Sequence, residues 1–152
     1  MNCPTSAFHE LEARYGELLS WCDLLEAIAD FLPCRINERL CGMVADGLLP
    51  LLLTTHRLEE QIVSDRLGAI MNGSERSEME HCLKTGRLVD LEAARDVVEV
   101  LQALQDGCCS LSFDAVSHLL RSFFCALRRR IAAQRRIIRR IDEVSRAELG
   151  AA

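Results

Sequence analysis

The chain has 152 residues, of which 49% are hydrophobic and only 5% aromatic, and its formal net charge at pH 7 is −5. This length predicts one domain, residues 1–152, and the abundance of Leu, Ala, Arg and Glu over strand-forming residues favours an all-α fold. The longest apolar run, Leu48 to Leu53, is too short for a membrane span, and the first residues lack an export signal, so we expect a cytoplasmic protein.

The charge is distributed unevenly along the chain. Residues 1–120 hold 9 Lys and Arg against 20 Asp and Glu, a charge of −11, whereas residues 121–152 hold 9 against 3, a charge of +6. A nucleic-acid-binding protein is usually basic overall or has a recognition fold, so we expect no nucleic-acid partner. The C-terminal arginines can instead be a solvated face, partners of the acidic helices, or one face of a helix that binds an anionic ligand or membrane surface.

Eight cysteines are present, and no pair has the CxxC spacing of a zinc site. In a protein that is not exported the thiols stay reduced. We therefore interpret most of them as small hydrophobic residues of the core.

Four helices are predicted in chain order. The first runs from about Ser6 to Leu32 and ends before Pro33, and an irregular or helical piece with breaks at Gly42 and Gly47 follows. The second runs from about Leu48 to Ile70, and Ser77 with Glu80 forms a capping box that opens the third, which ends near Gln105. The fourth spans about Phe113 to Glu148. Long helices with short connections predict an antiparallel up-down-up-down four-helix bundle.

Two helices carry apolar stripes that polar residues interrupt. Steps of four and three residues give the stripe of the second helix as Leu49, Leu53, His56, Glu60, Val63, Leu67 and Ile70. The same steps give Phe123, Leu127, Arg130, Gln134, Ile137, Ile141 and Val144 in the fourth. An inward His and Glu without a partner would be costly to bury, and a metal ion suits both.

These residues resemble the pattern of the hemerythrin-like family, the HHE cation-binding domains. The family has a His on its first helix, HxxxE on the second, a His on the third and a second HxxxE on the fourth. The matching residues here are His9, His56 with Glu60, and His81, while Arg130 and Gln134 occupy the last His and Glu positions. The resemblance implies a hemerythrin-like bundle with metal ligands His9, His56, Glu60 and His81, and a role in sensing oxygen, nitric oxide or iron.

The fourth helix departs from that pattern in both ligand positions. Arginine stays protonated in proteins and glutamine offers only a neutral oxygen, so the second half of a metal centre is degenerate. The resemblance then implies at most one non-haem iron, or none.

Alternatives come from the same residues. His56 and Glu60 can form a hydrogen-bonded polar pair, or Arg130 can form a buried ion pair with Glu60 in place of a cation. No catalytic triad, phosphate-binding loop or pair of catalytic acids is visible, so we expect no enzyme. The second functional hypothesis is a metal-free helical bundle that engages a protein partner through its basic C-terminal helix or an apolar groove.

Overall fold

The computed structural model describes residues 4–150, which form four α-helices: α1 Pro4–Phe31, α2 Glu38–Ile70, α3 Gly73–Gln105 and α4 Phe113–Gly150. Side-chain contacts show that α1 and α2 run in opposite directions. Tyr15 of α1 contacts Glu59 of α2, whereas Phe8, earlier in α1, contacts Arg66, later in α2. The all-α four-helix bundle predicted from the sequence is confirmed.

The predicted breaks at Gly42 and Gly47 are wrong, because residues 38–47 form the first turns of α2, while residues 34–37 lie before the helix. Asn37 caps the helix, with its side chain accepting a hydrogen bond from the backbone N–H of Leu40 at 3.0 Å. Gly42 and Gly47 do not break the helix, because they lie where its backbone passes close to the side chains of Gln105 and Trp21. Both glycines therefore serve helix packing.

The predicted capping box of α3 is also wrong. The helix begins at Gly73, one turn before Ser77, whose hydroxyl donates a hydrogen bond to the Gly73 carbonyl at 2.9 Å. Glu80 instead accepts a hydrogen bond from Arg76 at 3.1 Å. Ser77 and Glu80 are thus interior residues of the helix.

The bundle contains two hydrophobic clusters, and a layer of polar side chains lies near their boundary. On α3 the order is clear, since Leu83 belongs to the smaller cluster and Ala94 to the larger one, with buried Asp90 between them. The larger cluster contains Tyr15 and Phe124, and the smaller consists of Val63, Leu67, Leu83 and Ile141. The polar layer therefore lies inside the bundle, toward the end where α2 is joined to α3.

The cysteines differ from expectation. Of those that the structure describes, only Cys22 and Cys41 are buried, and burial raises the pKa of both thiols, that of Cys22 to about 12. Cys34, Cys82, Cys108 and Cys125 are exposed. Most of the described thiols are therefore surface groups.

Over residues 4–150, no helix combines the length and the apolar character needed to cross a membrane.

Candidate functional site

Seven polar side chains from all four helices make up the polar layer. Its members are Tyr15 of α1, His56 and Glu59 of α2, Arg87 and Asp90 of α3, and Arg130 and Gln134 of α4. Two carboxylates and two guanidinium groups are among them, so their formal charges cancel.

Glu59 has protein partners on both carboxylate oxygens. Oε1 accepts a hydrogen bond from the Tyr15 hydroxyl at 2.7 Å, and Oε2 accepts one from Arg87 Nε at 3.2 Å. Burial raises the pKa of Glu59, although the hydrogen bonds from Tyr15 and Arg87 act in the opposite direction. The same burial raises the pKa of Tyr15, with the Glu59 charge adding to it, so the phenol remains a donor.

Asp90 and Arg130 form the second pair, joining α3 to α4. Arg130 Nε lies 3.0 Å from Asp90 Oδ2. Burial raises the pKa of Asp90, and Arg130 opposes that change. The guanidinium lies against Gly86, where a Cβ atom would collide with it. Because glycine has no side chain, the Arg130 guanidinium fits at this position.

His56 is half-buried, and the charges of both guanidinium groups act on it. Burial lowers its pKa to about 4, and the positive charges of Arg87 and Arg130 contribute in the same direction. At neutral pH the imidazole is therefore uncharged.

Gln134 is only 3% exposed, and its Oε1 has no hydrogen-bond partner among the described residues. Arg87 Nη2 is buried and equally without a hydrogen-bond acceptor. Asp90 Oδ2 also accepts no hydrogen bond from a described residue, although Arg130 Nε lies 3.0 Å from it. The layer therefore has two buried oxygens and one buried nitrogen without a hydrogen-bond partner.

The residues predicted as metal ligands are not brought together. His56 is in the layer, but His9, Glu60 and His81 are exposed. Glu60 and His81 line a surface groove of about 350 Å³ between α2 and α3, which Glu80 and Lys84 also line. The iron-binding role given to these residues stays a prediction.

The inward position predicted for Glu60 is wrong, and so is its ion pair with Arg130. Glu59 is the inward carboxylate, 4% exposed, and it pairs with Arg87, while Arg130 pairs with Asp90. Between residues 48 and 62 the buried face of α2 follows Leu48, Leu52, Thr55, Glu59 and Ile62, one residue out of phase with the predicted stripe. Val63 and Leu67 of that stripe are buried as predicted. The run LLPLLL is apolar on all sides, so its periodicity could not fix the phase.

The stripe predicted for α4 is confirmed in part, because the buried face has Ile131 and Ile138 where the stripe has Arg130 and Ile137. Phe123, Leu127, Gln134 and Ile141 are buried, and Arg130 is half-buried. Arg130 and Gln134, identified as degenerate ligand positions, thus both belong to the polar layer.

Four members of the layer were missed by sequence reasoning: Tyr15, Glu59, Arg87 and Asp90. A usable signal existed for two of them. Tyr15 fits the first helix's apolar spacing between Leu11 and Leu18, and Asp90 lies four residues after buried Gly86 and four before buried Ala94. No periodic signal singles out Arg87, because a half-buried arginine also suits the edge of a solvated face.

The residues of the polar layer do not fit a metal ion. Each buried carboxylate already has a guanidinium partner, and a cation beside His56 would face the positive charges of Arg87 and Arg130. Within residues 4–150 no three His, Cys, Asp or Glu side chains form a group that could hold a metal.

The chain matches no family model, no curated protein and no solved structure.

Proposed function

We propose that the protein is a metal-free helical bundle that acts as an interaction or regulatory protein, with paired arginines and carboxylates at the place of a metal centre. The observation that carries the proposal is the double pairing of Glu59 with Arg87 and Asp90 with Arg130 inside the bundle. These two pairs balance the carboxylate charge that a cation would otherwise balance.

The chemistry of the layer supports a structural role. An oxygen- or nitric-oxide-sensing metal needs open coordination positions and neutral or anionic donors. Here, the carboxylates of Glu59 and Asp90 pair with guanidinium groups, and the Tyr15 phenol donates a hydrogen bond to Glu59. Such a network fixes how the four helices align, since a shift of one helix would leave a buried charge unpaired.

The outer face of α4 supports an interaction role. Arg129, Arg136 and Arg139 are exposed and form no ion pair with a described residue. A row of unpaired positive charges on a protein of net charge −5 favours a partner with an acidic surface.

Metal analysis separates this proposal from a hemerythrin-like iron protein. The chain is purified under anaerobic conditions with Fe(II), and bound iron is measured for the wild type and for His56→Ala. We expect less than one-tenth of an equivalent in both, because the guanidinium charges oppose cation binding. Near one equivalent in the wild type, lost in His56→Ala, would overturn the metal-free proposal and support the iron-binding alternative.

A further inference from the structure

An apolar pocket of about 300 Å³ opens where α2, α3 and α4 meet, at the end of the bundle beyond the polar layer. Nine of its lining residues are aliphatic or methionine, and they come from all three helices and the turn after α2. They are Val63, Leu67, Ile70, Met71, Met79, Leu83, Ile137, Ile141 and Val144. This volume is at the lower end of the range found for small-molecule sites, and the lining has the apolar character of such sites.

The smaller hydrophobic cluster does not fill this space. Val63, Leu67, Leu83 and Ile141 are buried, but Ile70, Met71, Met79 and Ile137 remain half-buried around them. Methionine is flexible and polarizable, so Met71 and Met79 can adjust to the shape of a guest.

Arg140 is the one charged residue among the pocket's described lining. It is exposed, it follows Arg139 on α4, and it forms no ion pair with a described residue. An apolar cavity with one unpaired guanidinium complements a molecule with an apolar chain and one anionic end.

We propose that this pocket binds an amphiphilic monocarboxylate, such as a free medium-chain fatty acid, with the chain among the methionines and leucines and the carboxylate at Arg140. A fatty acid suits the site better than a partner helix, because the space is a single concave cavity with one charge. The proposal does not depend on whether the polar layer holds a metal.

Chain length gives the first test. Hexanoate, octanoate, decanoate and dodecanoate are titrated into the wild-type protein below their micelle concentrations, with isothermal titration calorimetry as the readout. Each added methylene raises the affinity roughly fourfold until the pocket is full, since burying one contributes about 0.8 kcal/mol. Affinity that does not change along the series would overturn the proposal.

The charge is tested with matched variants and matched ligands. Arg140→Gln weakens decanoate binding by roughly two- to fivefold, as expected for an exposed ion pair, and leaves decanol binding unchanged. Arg139→Gln, which removes the adjacent exposed charge, leaves both unchanged. An equal effect of the two variants would show that α4 attracts anions in general and would overturn the assignment to Arg140.

Filling the pocket tests the location independently. Val144→Trp occupies the space and reduces decanoate affinity at least about tenfold while the circular dichroism spectrum stays that of the wild type. Should Val144→Trp not fold, Met79→Trp fills the same space from α3. Undiminished binding to a folded variant would place the ligand elsewhere.

Vesicles distinguish a free acid from a membrane surface. Phosphatidylcholine vesicles with and without phosphatidylglycerol are mixed with the wild type, Arg139→Gln and Arg140→Gln. The proposal expects no binding to either vesicle. Binding that requires phosphatidylglycerol and falls equally in both variants would overturn the pocket in favour of a lipid-binding helix face.

Discussion

Glu59 and Glu60 are neighbours in sequence and lie in opposite environments. Glu59 is buried between Tyr15 and Arg87, whereas Glu60 lines a surface groove. One residue on a helix is a rotation of about 100°, enough to exchange the core for solvent. At the residue scale, Glu59 rather than Glu60 faces inward, and it is therefore Glu59 that forms the ion pair with Arg87.

Replacing Arg87 leaves a buried carboxylate with only the phenol as a partner. We expect Arg87→Met to lower the free energy of unfolding at pH 7 by about 2 to 4 kcal/mol. Urea denaturation measures it. Arg95→Met, which changes an exposed arginine of the same helix, is the control and should stay within about 0.5 kcal/mol of the wild type. Equal losses in both variants would contradict the buried pair.

His56 should make stability depend on pH. Its pKa is about 4 in the folded protein and 6.5 ordinarily, so between these values the unfolded chain binds the proton and the folded chain does not. The free energy of unfolding therefore falls as the pH falls from 6.5 toward 4, on the order of 2 to 3 kcal/mol.

His56→Gln isolates that effect. The raised pKa values of Glu59 and Asp90 act in the opposite direction, because the folded state then takes up protons, but they act in both proteins. The free energy of unfolding of the wild type should therefore fall relative to that of His56→Gln between pH 7 and pH 4, when both are measured by urea denaturation. A difference independent of pH would mean that the imidazole is solvated.

At the element scale, the packing of α2 against its neighbours depends on two glycines in the interior of the helix. Gly42 and Gly47 let its backbone approach Gln105 and the Trp21 ring. Glycine costs a helix roughly 0.5 to 1 kcal/mol relative to alanine, so close packing at these positions offsets the weaker helix propensity. The sequence pattern predicts two breaks at these glycines. In the structure the helix is continuous, and both glycines are packing contacts with other helices.

Two glycine substitutions separate packing from propensity. Gly47→Ala would place a methyl group inside the Trp21 ring, and we expect a loss of about 1 to 3 kcal/mol in the free energy of unfolding. Gly16→Ala is the control, because nothing approaches that position in α1, and it should gain about 0.5 to 1 kcal/mol. Trp21 fluorescence during denaturation reports both. A gain in Gly47→Ala would mean that the helices are not in close contact.

At the scale of the whole molecule, arginines of the basic last helix form ion pairs with acidic residues of the first helix. Arg121 contacts Asp30, Arg128 contacts Asp23 and Glu26, and Arg135 contacts Glu12, so part of the basic helix faces the acidic side of α1. This confirms the predicted pairing with acidic helices for Arg128 and Arg135. Arg129, Arg136 and Arg139 form the outer face.

Arg128 is the strongest member of this contact. Its Nη2 lies 2.7 Å from both Asp23 Oδ1 and Glu26 Oε2, and the guanidinium carbon lies 4.9 Å from the centre of the Phe124 ring. Arg128→Gln should lower the free energy of unfolding by about 1 kcal/mol in 0.05 M NaCl and by less in 1 M NaCl, because salt screens partly exposed charges. Urea denaturation at both salt concentrations measures it.

The matched control for that experiment is Arg129→Gln. Arg129 is exposed and forms no ion pair with a described residue, so its loss should change stability by less than about 0.5 kcal/mol at either salt concentration. A salt-independent loss in Arg128→Gln would assign its effect to packing on Phe124 alone.

The candidate site was predicted in part. Arg130 and Gln134 were identified as inward residues from the four- and three-residue spacing of α4. Gln134 is buried, but Ile131 is more deeply buried than Arg130, because adjacent apolar residues leave the helical phase open by one position. His56 was also identified. It is half-buried at the edge of the inward face of α2, so a shift of that face by one residue does not remove it. Glu59 was missed because the uniformly apolar turns before it suit two phases equally.

An all-α bundle of four helices could be predicted from the amino-acid sequence, because composition and apolar periodicity are local properties. The inward carboxylate, the continuation of α2 through two glycines and the pairing of Arg130 with Asp90 could not be predicted in the same way. These depend on where neighbouring helices lie: the position of α1 selects the phase of α2, and Gly86 makes room for the Arg130 guanidinium. Apolar periodicity predicts which face of a helix is buried, and the packing of the helices determines which residues that face contacts.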